Sequence, residues 1–71
     1  MVNKKLLQAE VYAHGDFYKD LAAALGITHP CLSGKIHGRT AFTCTEVQVI
    51  KERYSLTPEQ IDRIFFADRV S

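Results

Sequence analysis

Residues 17–38 read Phe17-Tyr18-Lys19-Asp20-Leu21-Ala22-Ala23-Ala24-Leu25-Gly26-Ile27-Thr28-His29-Pro30-Cys31-Leu32-Ser33-Gly34-Lys35-Ile36-His37-Gly38, and their spacing predicts two short helices hinged at Gly26. Leu21, Ala22 and Leu25 recur at helical spacing on one face. Gly26 permits the left-handed conformation that ends a helix, and Ile27 plugs the hinge. Thr28 restarts the chain as an N-cap, after which Cys31, Leu32 and Ile36 supply a second apolar stripe. The outward face of the second helix is then left to His29, Pro30, Ser33, Gly34 and Lys35.

Outward from this pair, three more helices are expected. Residues 3–13 form the first, with Leu6, Leu7 and Val11 inward, Lys4, Lys5, Gln8 and Glu10 mostly outward, and Gly15 near its end. Its expected role is closing the core. Thr43 and Glu46 make a capping-box pair that starts a fourth helix, on which Val47, Ile50 and Tyr54 share a face. Thr57 and Gln60 repeat the device for a fifth, with Pro58 in its first turn. Ile61, Ile64 and Phe65 fit one face of that helix, so Phe66 points elsewhere. Phe66, with Val70, is the candidate oligomer interface, against the alternative that it covers the base of its own core. A short loop at 38–42 carries Arg39 and Thr40. No linker, internal repeat or low-complexity stretch interrupts the pattern, which reads as one all-α domain over residues 1–71.

Seventy-one residues allow only a small core, near the lower limit for independent stability, so a homodimer or a partner is a natural supplement. The N-terminal Met-Val-Asn-Lys-Lys-Leu-Leu leads into no long apolar run, and no stretch approaches a membrane span; a cytoplasmic protein without membrane contact is expected. Cys31 on an apolar face and Cys44 at a helix start suit reduced, buried thiols better than a disulfide. Cys31, His37 and Cys44 lack the close pairing of a metal site. Nothing spaces a nucleophile with a base and an orienting acid among His14, His29, His37, Ser33 and Cys31, so neither catalysis nor a cofactor is expected. His14 suits a cation at a helix C-terminus or a simple surface residue, and His37 a helix terminator.

The central segment resembles the Cro and phage-repressor type of helix-turn-helix regulator through L-A-x-x-L-G-I-[ST]-x-x-x-L-S-x-x-[IL]-x-G, matched at Leu21, Ala22, Leu25, Gly26, Ile27, Thr28, Leu32, Ser33, Ile36 and Gly38. The likeness continues into Thr43-Cys44-Thr45-Glu46 and Leu56 to Phe66, covering about residues 15 to 66. It implies a five-helix phage-repressor-like domain, helices 2 and 3 forming the motif, in a regulator of the lysogenic/lytic switch that works in the bacterial host cell. It also implies double-stranded operator DNA as a partner, bound by a dimer.

Carried over residue by residue, the resemblance puts His29, Pro30, Ser33 and Gly34 over bases, with Thr28 and Lys35 flanking. Pro30 and Gly34 have no side chain to pair with a base, which leaves His29 and Ser33 as readers. Tyr18 stands where family members often place a phosphate-binding glutamine, and its hydroxyl can still donate to a phosphate oxygen. Lys19, Lys35, Arg39 and Thr40 are the other candidates for phosphate or partner contacts. The charge is lean: net +1 overall, with five basic residues against three acidic in the first 45 and four against five thereafter.

This leanness supports an alternative on the same fold. In it the chain is an antirepressor, or modulator, whose helix-turn-helix face covers a partner phage repressor and blocks or alters its DNA binding. Tyr12, Phe17, Tyr18, His29, Pro30 and Phe42 would form its anchor set if exposed, so exposure discriminates between the readings.

Overall fold

The computed structural model describes residues 2–66, which form five α-helices and no strand: α1 Lys4–Ala13, α2 Tyr18–Leu25, α3 His29–Ile36, α4 Cys44–Arg53 and α5 Pro58–Phe65. Four of them start on a side-chain oxygen that accepts an otherwise orphaned backbone N–H. Asn3 caps α1, Thr28 caps α3, Thr43 caps α4 and Thr57 caps α5. Both expected capping boxes are closed: the Thr43 N–H donates to Glu46 at 2.8 Å and the Thr57 N–H to Gln60 at 2.8 Å. At α2 the cap position is Phe17, which has no side-chain acceptor. There Asp20 reaches back from the first turn and accepts the Phe17 N–H at 2.8 Å.

The hinge between α2 and α3 is as the sequence predicts. Gly26 sits at φ 72°, a left-handed conformation that a β-carbon disfavours, and the Ile27 N–H donates to the Ala22 carbonyl at 3.0 Å to close the end of α2. After α4 the same conformation falls on a serine, Ser55 at φ 52°.

Side chains from all five helices and the turn before α5 meet in one core. Leu7, Val11, Leu21, Leu32, Ile50 and Ile64 are fully enclosed, with Ala22, Ile36, Tyr54, Leu56, Ile61 and Phe65 around them. The N-terminus is tied to the far end of the chain by the Asn3 N–H, which donates to the Ile64 carbonyl at 2.6 Å. No helix among the described residues is long and apolar enough to cross a membrane.

Three residues expected to be buried are corrected. Leu6 is 40% exposed, because Leu7 and Val11, one turn apart, define the inner stripe and Leu6 lies about 100° round the helix from Leu7. Cys31 is exposed for the same reason, set off from Leu32 and Ile36, and Cys44 is exposed in the first turn of α4. Both thiols are free, as expected, but neither is buried.

The α1–α2 turn is clamped to the end of α4. Asp16 accepts from Arg53 Nε at 2.7 Å and from the Tyr54 hydroxyl at 2.8 Å, and the His14 ring lies 5.0 Å from that of Tyr54. The Arg53 guanidinium, then the Tyr54 hydroxyl, hold the Asp16 carboxyl below its ordinary value. Burial, then the bond to Asp16, pushes the Tyr54 phenol up to about 12. A carboxyl whose pKa is lowered by folding contributes stability above its unfolded value of about 3.9 and loses that contribution as pH falls through the folded value. The thermal midpoint of the native chain is therefore expected to drop below about pH 4, and Asp16→Asn to show a shallower drop over the same window. Thermal melts between pH 2 and 7 check this; parallel curves for the two proteins would remove Asp16 as the cause.

Candidate functional site

The outward part of the α2–α3 unit is smaller than the sequence suggests. His29, Pro30, Arg39 and Thr40 are exposed, as are Lys19 and Thr28, while Tyr18 and Ser33 are partly buried. Gly34 and Lys35 are buried, which corrects their placement on the outward face. Lys35 shares the inner side of α3 with Leu32 and Ile36, where its methylene stem covers apolar surface while its ammonium finds polar partners. Only 8% of it is exposed. Nζ donates to the Ala41 carbonyl at 3.0 Å, pairs with Glu46 Oε1 at 3.1 Å, and stands 5.9 Å from the centroid of the Phe42 ring.

Glu46 therefore serves two elements at once, capping α4 and holding α3 through Lys35. Burial alone would raise its carboxyl, but the Thr43 N–H and Lys35 outweigh this and hold it below its ordinary value. Lys35→Ala is expected to lower stability by about 1–3 kcal/mol, because it leaves the enclosed Glu46 charge unpaired. Urea unfolding of the variant checks this. An unchanged midpoint would mean that the ammonium is free to reach a ligand.

Six of the ten candidate binding residues line one or other of two depressions, and Lys19, Thr28, Pro30 and Gly34 line neither. Tyr18, His29 and Ser33 line one of about 380 Å³ together with Lys4, Lys5, Gln8, Leu32, Ile36 and His37. Arg39 and Thr40 line another, of about 610 Å³, between the α3–α4 loop and the helices α4 and α5. Lys35 lines the second depression beside Arg39 and Thr40, whereas His29 and Ser33 line the first. Phe66 faces the second depression, partly buried and packed against the core, and Val70 lies outside the described residues.

Lys4, Lys5 and Gln8, assigned from sequence only to the solvent side of a core-closing helix, belong to the first depression. Lys4, Gln8 and Tyr12 recur every four residues along one flank of α1, which is the signal that marks them as a shared surface. Tyr12 is 49% and Phe17 59% exposed. Their rings meet edge to face at 6.0 Å, and Tyr12 lies 6.3 Å from Tyr18, so an aromatic strip runs from Phe17 to the mouth of the groove. Burial, then Tyr12, raises the Tyr18 phenol above its ordinary value. Phe42 leaves the proposed anchor set: it packs edge to face on Phe65 at 5.2 Å and is partly buried.

Compared with family models, curated proteins and solved structures, the chain matches none.

Proposed function

We propose that this chain is a phage-type helix-turn-helix regulator of the lysogenic/lytic switch whose motif face binds a partner repressor and blocks or alters that repressor's DNA binding. The observation that carries the reading is the exposed aromatic pair, Tyr12 and Phe17, beside the groove that holds His29 and Ser33. Exposed rings of this size repay burial against a protein surface, and aromatic anchors of this kind dominate protein interfaces. The electrostatics support the same reading. Lys35, the one cation within the second motif helix, is committed to Glu46 and Ala41. Non-specific affinity for a duplex rests on cations that neutralise phosphates, and a chain of net charge +1 with one of them so engaged has little to offer.

Operator binding by the chain itself is the second reading, favoured by one observation: His29 and Ser33, the two candidate base readers, line the same groove as Lys4 and Lys5. A labelled operator fragment from the same switch, tested by gel shift at low and moderate salt with this chain, its cognate repressor, or both, separates them. Release or altered mobility of the repressor–operator complex, with no shift by the chain alone, is the expected result. A sequence-dependent shift by the chain alone would make it a Cro-like repressor instead.

A further inference from the structure

We infer that the groove between α1 and α3 seats an acidic segment of the partner repressor, carboxylates against the rim and an apolar side chain against the floor. The inference rests on the partner-binding reading and says which chemistry the partner must bring. Lys4 and Lys5 from α1, and His29 and His37 from α3 and its end, stand around the opening, and no acidic residue lines it. Among the described residues neither lysine has an ion-pair partner. Asp20, the acid in the first turn of neighbouring α2, is engaged on the Phe17 N–H, and Glu10 lies on α1 outside the groove.

Leu32 and Ile36 contribute to the lining while belonging to the core, so the floor is apolar and fixed. Such a cleft, basic at the edge and apolar beneath, selects a ligand of the opposite sign with something to bury. The continuation of the surface decides between protein and nucleic acid. Tyr18 sits in the groove and Tyr12 and Phe17 extend from it, and a duplex turns a charged sugar–phosphate surface outward that gains little from covering two half-exposed rings. A protein segment has.

The test is a titration of the ¹⁵N-labelled chain with the purified DNA-binding domain of the cognate repressor and, separately, with its operator duplex, repeated on Lys4→Glu/Lys5→Glu and Lys4→Arg/Lys5→Arg. Both lysines are exposed, so neither double variant disturbs the core, and circular dichroism verifies this. The repressor domain is expected to shift the amides of Gln8, Tyr18, His29, Ser33 and His37, the glutamate variant to bind it about tenfold or more weakly, and the arginine variant to bind within about twofold. Full affinity for the glutamate variant, with perturbed amides around α4 and α5, would overturn the groove while leaving partner binding intact. A duplex that binds the chain alone and is lost with the glutamate variant would make the groove a phosphate seat and overturn both readings. Failure of the repressor domain to bind would overturn the partner reading itself, and with it the inference.

Discussion

Leu32→Ala is expected to leave a large share of the molecules unfolded at 25 °C. Leu32 is fully enclosed where α3 meets the rest of the core. Truncating such a leucine removes its transfer free energy and leaves a cavity that the neighbours close only in part, a cost of about 2–5 kcal/mol. Domains of this length rarely draw more than about 3–5 kcal/mol from a single apolar core, so the loss is comparable to the whole margin. The measurement is urea unfolding followed by far-ultraviolet dichroism, with Leu6→Ala as the comparison. Leu6 stands 40% exposed on the outer side of α1, and its truncation is expected to cost about 0.5 kcal/mol or less. Equal losses at the two positions would mean that α3 does not bring Leu32 into the core.

The second large effect is on binding and spares the fold. Tyr12→Ala/Phe17→Ala is expected to weaken repressor binding by about 100-fold or more while leaving the unfolding midpoint nearly unchanged. Anchor residues at interfaces commonly cost about 2 kcal/mol or more each on truncation, and about 1.4 kcal/mol is a factor of ten. The two rings touch, so their effects need not add, and the single variants belong in the same experiment. Titration calorimetry against the repressor gives the affinity, and a thermal melt reports the fold. Undiminished affinity would leave the exposed rings without a role and return attention to operator binding. A collapse of the melt would mean that they belong to the core after all.

The framework of the domain was legible because its signals are local. Thr28, Thr43 and Thr57 announce helix starts within four residues of sequence, and Gly26 announces an end, so five helices and their faces follow from short-range pattern. The misassigned residues are those decided by something farther away. Cys31 and Leu32 are both plausible inner positions of an eight-residue helix, and only the packing of α2 against α3 selects between them. Lys35 reads as a surface cation until Glu46, eleven positions on, is brought beside it by the α3–α4 loop. The groove itself joins Lys4 and Lys5 to His29 and Ser33 across more than twenty residues. No periodicity within a single helix carries that information, whereas the repeat Lys4, Gln8, Tyr12 carries half of it.

The start of α2 separates two duties that one residue usually combines. The Phe17 N–H donates to Asp20 and the Phe17 carbonyl accepts from the Asp20 and Leu21 N–H groups, so the start of α2 uses only the backbone of position 17 and leaves its ring largely exposed. The outcome is a site that can be revised without penalty to the scaffold: Phe17 can be exchanged for tyrosine, leucine or arginine while α2 begins at the same place. A lineage of such proteins would be able to follow a drifting partner by changes at this one corner, keeping the domain beneath it as it is.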